Sequence, residues 1–460
     1  MRRIALLAVV LLCAVSCANR AKRSIDLYDS GDYAGAARAA DEGLANHPDD
    51  DNLWAMKVRA SIALGDADGT AKAYEQYAAQ RGGDDKPLLR ELSTATLGQA
   101  LASPSAKMKI AAIEAIERIE IHALTDQVAE RIDDDDDRVA AAASVALLRG
   151  MPGAPQVADQ LLRSDNAEAR RIVVNGIGRK VGKLATADLQ AAANDSDPRV
   201  RRAAITWLGM IKEVDAVEVL TRRLRDPDDS VRAASASALA RIGIGNLAAF
   251  AKQALADRSL AVRLAGIELL AAAKADTDLV VLTDDKDAMI GLQAAIALKS
   301  KRPELADKAV ARAIAADEWT IRAGAANLLV TAVGRDAARP YATKLAGDSE
   351  LGVRLAAARV LAQLDDREGA RRIFASALDS ADYGVQAAAD LAALGDKAGT
   401  QVLSAAVRDP KRTPEQRVAA ASAHRTAHRV TGGLVAALAD ADGLVRVEAA
   451  AVLGTLAKQR

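Results

Sequence analysis

The sequence predicts an all-α protein, a right-handed α-solenoid of stacked helical hairpins. Three observations predict it: a striped helical stretch recurs at a near-constant period, half of the residues are hydrophobic but only 2% are aromatic, and only 11 of 460 residues are proline. A fixed period of this size indicates a repeat protein in which each unit contacts its neighbours. Alternating apolar patterns typical of strands are scarce, so no sheet is expected.

The repeat is clearest at residues 226–243, DPDDSVRAASASALARIG. Pro227 and the acidic residues around it predict a turn, after which Asp229 or Ser230 offers an N-cap. The apolar residues that follow have helical spacing along one stripe. A striped helix over roughly 214–224 precedes the turn, and two such helices joined by a short turn predict an antiparallel hairpin.

The arginine of the Val231-Arg232 pair marks the period. Its position recurs at Lys109, Ala140, Arg170, Arg201, Arg232, Arg263, Gly291, Arg322, Arg354, Gln386, Arg417 and Arg446. Every step lies between 28 and 32 residues, which predicts about 12 repeats. The shortest step, from Arg263 to Gly291, lacks the arginine. We expect a change of superhelical curvature there, and a seam between two halves.

The recurring arginine needs a partner, because a cation in the first turn of a helix opposes the helix dipole. An aspartate precedes the marked position by six residues in seven of the twelve repeats, at Asp134, Asp195, Asp226, Asp257, Asp285, Asp348 and Asp440. We predict that these carboxylates pair with arginines of their own or the neighbouring repeat, as a ladder along the inner turns. Its arginines would be Arg170, Arg201, Arg232, Arg263, Arg322, Arg354 and Arg446. The alternative is a row of unpaired, solvated arginines. Exposed pairs would contribute only about 0–1 kcal/mol each.

Three stretches carry a resemblance to a known family: DPRVRRAAITWLG (197–209), DDSVRAASASALARIG (228–243) and DGLVRVEAAAVLG (442–454) resemble HEAT repeats. They are most similar to the short subtype of phycobilisome-lyase-like proteins. The resemblance covers about residues 105–460, and we assign residues 85–460 to a solenoid of HEAT-like hairpins. It implies a fold that mostly presents surfaces to partner proteins.

Residues 17–84 have a different character. Five of the eleven aromatic residues lie here, at Tyr28, Tyr33, Trp54, Tyr74 and Tyr77. The period changes to 34 residues, from Gly31 to Gly65, and GDYAGAARAADEGLANHP (31–48) resembles the second helix of a tetratricopeptide repeat. Two such repeats are fewer than the usual minimum of three. We therefore expect this segment to dock on the first HEAT-like helices through residues 87–101, its aromatics packing between helices or lining a peptide groove.

Residues 1–16 are typical of an export signal. Arg2 and Arg3 precede an apolar run of twelve residues, too short to span a bilayer, which needs about 20. The Ala-Val-Ser-Cys motif that ends at Cys17 resembles the lipobox of bacterial lipoproteins, which implies a diacylated Cys17. Ala18, rather than aspartate, follows and implies the outer membrane, facing the periplasm. The alternatives are simple secretion as a soluble protein or an uncleaved anchor.

No catalytic residue, cofactor or metal site is predicted. Net charge is zero and no basic face indicates nucleic-acid binding. The four-residue spacing of His424 and His428 suits a zinc pair, but no third ligand is evident and His424 falls at a core leucine position. The acidic run 133–137 lacks the glycine spacing of a calcium loop and favours a solvated turn.

Two surfaces are candidates for contacts with other chains. Trp319 lies in a turn three residues before Arg322, where it is either an exposed partner contact or packed against the next turn. Trp207 should pack beside the core. The last repeat leaves an apolar face without a polar cap, a candidate for self-association. That face comprises Val445, Val452, Leu453 and Leu456.

These features favour a non-enzymatic, membrane-tethered scaffold of the bacterial cell envelope that binds partner proteins through a solenoid surface. The alternatives are a HEAT-type enzyme, such as a bilin lyase, and an envelope ligand or peptidoglycan binder. The di-iron hydroxylases of this fold use His-Glu pairs, whereas this chain has four histidines and no His-Glu dipeptide.

Overall fold

The computed structural model describes residues 20–458, and every regular element in that range is helical. It contains 28 α-helices and five short 3-10 helices. The α-helices are α1 (Lys22–Asp29), α2 (Tyr33–Asn46), α3 (Asp51–Ala63), α4 (Ala67–Arg81), α5 (Lys86–Leu101), α6 (Ala106–Ile119), α7 (Thr125–Ala129), α8 (Asp137–Leu147), α9 (Ala154–Leu161), α10 (Ala167–Lys180), α11 (Thr186–Ala192), α12 (Pro198–Met210), α13 (Val217–Arg223), α14 (Asp229–Ile242), α15 (Leu247–Leu255), α16 (Leu260–Ala272), α17 (Asp276–Leu282), α18 (Ala288–Leu298), α19 (Pro303–Ala313), α20 (Trp319–Val333), α21 (Arg335–Leu345), α22 (Leu351–Gln363), α23 (Arg367–Ser376), α24 (Gly384–Ala393), α25 (Lys397–Ala406), α26 (Pro414–Ala427), α27 (Gly432–Ala436) and α28 (Gly443–Lys458). The 3-10 helices are His122–Leu124, Glu130–Asp133, Gly182–Ala185, Val214–Ala216 and Ala437–Ala439. The predicted all-α solenoid of helical hairpins is confirmed.

The chain divides into two compact units. We call Val128–Ile373 the central unit, and Met1–Gln127 together with Phe374–Arg460 the terminal unit. The seam expected between Arg263 and Gly291 is wrong, because both residues lie inside the central unit. The sequence boundary at residue 84 falls inside the terminal unit.

The second helix of most hairpins begins at a short polar side chain. At α14 the cap is Asp228, whose Oδ1 accepts a hydrogen bond from the backbone N–H of Val231 at 3.2 Å. This is one residue before the positions that the sequence suggested, because Asp229 is already helical. Gly243 ends the helix at φ 75°, a left-handed conformation that glycine adopts without a steric penalty.

Small residues let successive second helices stack closely in the central unit. A Cβ on Gly209 of α12 would lie 2.7 Å from Cα of Ala238 in α14, and one on Gly178 of α10 would overlap the ring of Trp207. Trp207 packs half-buried against the core, and its Nε1 donates to Asn175 Oδ1 at 3.1 Å. Close approach of the helix backbones therefore contributes to the packing of the core as much as side-chain volume does.

The predicted apolar face at the C-terminus is not free. Helix α28 packs on α5 and α6, and Val445, Val452 and Leu453 are fully buried. Ser93 Oγ donates to the carbonyl oxygen of Ala450 at 2.8 Å, and Arg90 Nη2 donates to that of Ala457 at 2.9 Å. The prediction of a self-association face there is wrong, because the first HEAT-like hairpin covers α28 as another repeat would.

The tetratricopeptide-like helices also contact the C-terminal part of the chain. Helix α4 packs on the short α27, and a Cβ on Gly432 would lie 2.3 Å from the carbonyl oxygen of Ala71. We expected docking through residues 87–101. That contact exists as a bidentate pair between Arg59 and Glu91, at 2.6 and 2.8 Å. The docking on α27 was not predicted.

Most aromatic residues of this segment serve packing. Tyr74 and Tyr77 are fully buried, and their hydroxyls donate to Asp84 and Asp85 at 2.6 and 2.5 Å. The ring of Trp54 stacks on that of Tyr77, with centroids 6.3 Å apart. Of the two roles expected for the aromatic residues, packing between helices and lining a peptide groove, these three have the first.

Gly432→Ala should weaken the docking of α27 on α4. The added methyl meets backbone rather than a mobile side chain, and such overpacking costs about 1–3 kcal/mol. Gly153→Ala is the matched control, because its Cβ position is open and its φ of −79° suits alanine. Urea unfolding and hydrogen exchange of α27 measure the effect. Equal stability of the two variants would mean that α27 is not held against α4.

Candidate functional site

Arg201 shows the arrangement at the start of each second helix. Its Nε and Nη2 donate to the two carboxylate oxygens of Asp226 in the next repeat, at 2.9 and 2.7 Å. Its Nη1 donates to the carbonyl oxygens of Asp195 and Ser196 in the preceding loop, at 2.8 and 2.9 Å. The planar guanidinium thus holds its own loop and binds the next one.

The same geometry repeats along the chain. The bidentate pairs are Arg170–Asp195, Arg201–Asp226, Arg232–Asp257 and Arg322–Asp348 in the central unit and Arg417–Asp440 in the terminal unit. In each, Oδ1 of the aspartate also accepts the backbone N–H two residues later. The aspartate of each loop is therefore bound by the arginine of the preceding repeat. We call each such pair a rung.

The other predicted ladder arginines, Arg263, Arg354 and Arg446, bind different partners. Arg263 reaches Asp287, at 3.2 Å, instead of Asp285. Arg354 and Arg446 each donate to two carbonyl oxygens of the preceding loop.

Glycine replaces the arginine where the period shortens. A Cβ on Gly291 would lie 2.8 Å from the carbonyl oxygen of Thr283, so the preceding loop comes too close for a side chain at this position. The preceding helix, α17, has seven residues, the same length as α11 and α13.

The rungs are less exposed than the sequence suggested. The side chain of Asp226 is fully buried and that of Arg201 is nearly so. Asp226 also accepts from Arg223 Nη1 at 3.2 Å. Hydrogen bonding to Arg232 lowers the pKa of Asp257, and Arg322 lowers the pKa of Asp348 in the same way. Pairs in this environment cost far more to break than surface pairs.

Trp319 is exposed at the edge where the rungs lie. It is the first residue of α20, 42% exposed, three residues before Arg322 of a rung. Leu260 holds the same position relative to Arg263 and is also exposed. The exposed carboxylates of Asp317 and Glu318 adjoin it in the loop. We call the edge on which the rungs lie the ladder edge.

The two histidines whose spacing suits a zinc pair, His424 and His428, differ in their surroundings. His424 is fully buried, with Nδ1 2.9 Å from the carbonyl oxygen of Ala420 and Nε2 2.9 Å from Thr431 Oγ1. The carbonyl requires Nδ1 to donate, and burial lowers the pKa of His424. His428 ends α26 at φ 49° and is exposed. Within residues 20–458, no group of three or more His, Cys, Asp or Glu side chains is arranged to hold a metal ion.

Two clefts in the terminal unit could hold small ligands. One, of 440 Å³, is lined by Lys107, Arg118, Glu415 and Leu444 among others. The second, of 460 Å³, includes Tyr74 in its lining.

The N-terminal predictions lie outside the part of the chain that the structure describes. Cys17 and the export signal before it precede residue 20, where the described part begins. None of the helices found between residues 20 and 458 is both long and apolar enough to cross a bilayer.

Sequence reasoning missed two features. The ladder arginines it selected omitted Arg417, although the period marks it and Asp440 lies 23 residues further on. It also gave no weight to single aliphatic residues just after the second helices, where Leu184, Val214 and Ile244 are exposed.

The fold defines the class of protein, an all-α solenoid of HEAT-like hairpins, and comparisons with known proteins bear on part of the chain. A family model described as HEAT repeats matches residues 154–240, the region of the Arg170 and Arg201 rungs. The comparison with curated proteins found no match.

Several solved structures are similar to this chain. The CpcE–CpcF complex of phycocyanin lyase from Nostoc sp. PCC7120 is 22% identical, with 48% of this chain and 92% of that chain covered and a TM-score of 0.32. Kap121p is 12% identical, with 85% and 52% covered and a TM-score of 0.34. The UNC-45 chaperone is 11% identical, with 93% and 71% covered and a TM-score of 0.32. At these identities and TM-scores, the similarities carry no argument about function.

Asp226→Asn should destabilise the protein by about 3 kcal/mol or more, because it removes the negative partner of a buried arginine. Asp229→Asn is the matched control, the same change at an exposed carboxylate nearby, and should stay within about 0.5 kcal/mol. Urea unfolding gives the free energies, and hydrogen exchange in α12 and α14 locates the loss. If Asp226→Asn lowers the free energy of unfolding as little as the control does, the rungs do not stabilise the fold.

Proposed function

We propose that this protein is a non-enzymatic scaffold of the bacterial cell envelope that binds partner proteins along the ladder edge of its central unit. The observation that carries this proposal is the exposed Trp319. A large aromatic side chain on a rigid element can bury much area in an interface at a small cost in conformational entropy, which is why tryptophan is enriched among interface hot spots.

The hydrogen bonds of Arg322 hold the helix and the loop around Trp319 in place, which favours binding without rearrangement. Its helix starts at the rung in which Arg322 Nε and Nη2 bind Asp348 at 2.7 and 2.8 Å. Arg322 Nη1 also donates to the carbonyl oxygens of Ala316 and Asp317, at 2.9 and 2.8 Å, so the loop before Trp319 is fixed. An ordered loop loses little entropy when a partner binds.

The charges around Trp319 indicate the chemistry of the partner. Asp317 and Glu318 precede it, and Glu350 lies in the corresponding loop of the next repeat, all three exposed. An apolar anchor flanked by carboxylates fits a protein segment that combines an apolar side chain with lysine or arginine.

A photoreactive residue at position 319, in the native organism, should crosslink one stoichiometric protein, whereas the same residue at position 281, where an exposed valine lies, should not. Trp319→Ala should then weaken binding of that protein by about tenfold or more while leaving unfolding unchanged, since loss of a hot-spot side chain costs more than about 1.4 kcal/mol. Identical crosslinks from both positions, or unchanged affinity of Trp319→Ala, would contradict the proposal.

The second part of the proposal is the tether. A diacylated Cys17 would hold the scaffold on the outer membrane, facing the periplasm, with a secreted or soluble periplasmic protein as the alternative. The support is the lipobox-like motif before Cys17 and the absence of a second cysteine after it in the sequence. Two acyl chains give an anchor that salt does not release.

Cys17→Ser should convert the protein from a salt-resistant to a salt-extractable or soluble form. The measurement is membrane fractionation with a high-salt wash, which screens charge contacts but leaves acyl chains inserted. Conservative replacement of the other cysteine, Cys13→Ser, is the control and should leave the protein in the membrane fraction. If the Cys17→Ser protein still resists the salt wash, a lipid anchor at this residue is wrong.

A further inference from the structure

Three successive connections in the central unit, the segments that follow a second helix and lead to the next hairpin, each carry an exposed aliphatic side chain. Leu184 is 91% exposed, Val214 49% and Ile244 48%. Each of these side chains lies one or two residues after a residue in the left-handed conformation at the end of a second helix. Those residues are Gly182, Lys212 and Gly243, at φ of 65°, 52° and 75°. The exposure therefore recurs with the repeat.

The three connections lie side by side on the edge opposite the rungs. The rungs of Arg170 and Arg201 align the first turns of α10, α12 and α14, so the last turns of these helices are aligned as well. Thr186 Oγ1, after the first connection, lies 2.9 Å from Glu213 Oε2 in the second. A Cβ on Gly245 of the third would lie 3.6 Å from Val217, just after the second.

An exposed cation precedes each of these aliphatic residues by one to three positions in the sequence. We call these six residues the connection edge: Lys183, Leu184, Lys212, Val214, Arg241 and Ile244.

The two edges of these hairpins differ in charge. Residues 179–184, 210–215 and 241–246 hold five cations and two carboxylates, Glu213 and Asp215. The loops of the ladder edge, 164–169, 194–199 and 225–230, hold two cations and seven carboxylates. Two of these carboxylates are paired with the rung arginines Arg170 and Arg201, which lie just outside the ranges. The chain as a whole has no net charge, so the difference in charge between the two edges is a local property of these hairpins.

We propose that the connection edge docks on the surface of an anionic lipid bilayer. Leu184, Val214 and Ile244 insert at the level of the headgroups, and the neighbouring cations meet the lipid phosphates. The acidic ladder edge is repelled by the same surface and faces away from it. This contact is distinct from the proposed lipid anchor and partner binding, and depends on neither.

The spacing of the aliphatic residues favours a bilayer over a protein partner. They are single side chains, one per repeat, and a cation precedes each by one to three residues. A protein hot spot is a clustered, well-packed patch from which water is excluded. A bilayer takes isolated aliphatic and cationic side chains without needing a complementary shape.

The test is co-sedimentation of the full chain, carrying Cys17→Ser to exclude acylation, with vesicles of phosphatidylglycerol and phosphatidylethanolamine or of phosphatidylcholine alone. The protein should bind the anionic vesicles, and binding should fall as salt is added. Combined Lys183→Gln, Lys212→Gln and Arg241→Gln should weaken binding by about fivefold per charge removed. Combined Leu184→Gln, Val214→Gln and Ile244→Gln should weaken it by about tenfold or more.

Val281→Gln is the matched control, since Val281 is an exposed aliphatic residue of the central unit outside the connection edge. It should leave vesicle binding unchanged, and far-UV circular dichroism should show all variants folded. The proposal is overturned if the protein does not bind anionic vesicles, if the edge variants bind vesicles as well as the control, or if a photoreactive residue at position 184 of the otherwise unchanged chain crosslinks one protein and no lipid. The last result would make the edge a protein-binding surface.

Discussion

Close stacking of successive second helices is the constraint on which the rest of this structure depends. No hairpin can bury its apolar stripe alone, and a core rich in alanine gains area only if the helices nearly touch, as Gly209 and Ala238 do. This approach removes water from the first-turn arginine, which faces the next repeat. A desolvated cation must be paired. The aspartate of the next loop supplies the charge, and because the pair is bidentate it also fixes how far one repeat is displaced from the next.

The same constraint explains how the stack ends. The last helix, α28, has an apolar face like every second helix before it, and α5 and α6 cover that face with ordinary repeat-like packing. Polar contacts with the preceding helices order the start of α27, the short helix that packs on α4. Thr431 Oγ1 accepts from the backbone N–H of Leu434 and contacts His424, while Ser404 Oγ accepts from the N–H of Gly433 at 3.0 Å. A buried histidine at a leucine position thus orders the start of a short helix, which accounts for it without a metal.

Periodic features could be read from the sequence and long-range ones could not. The repeat, the hairpins and the two residue types of a rung all follow from spacing along the chain. Whether Arg201 pairs with Asp195 or Asp226 does not follow, because one lies 6 residues away and the other 25, and only the stacking geometry decides. The burial of the rungs was underestimated because charge patterns carry no information on how close the helices come. The covering of α28 by residues some 350 positions earlier, such as Ser93, leaves no periodic trace.

The opposite character of the two edges follows from the parallel second helices. The dipole of an isolated helix favours carboxylates at its first turn and cations at its last, each by less than about 1 kcal/mol. In α10, α12 and α14 the rungs place all first turns on one edge, so that capping residues such as Asp228 accumulate there. Terminal cations such as Lys180 and Arg241 accumulate on the other edge. A weak preference of single helices thereby becomes a polarity of the whole stack. The proposed protein partner at Trp319 and the proposed bilayer surface at Leu184 would therefore contact different edges and would not compete.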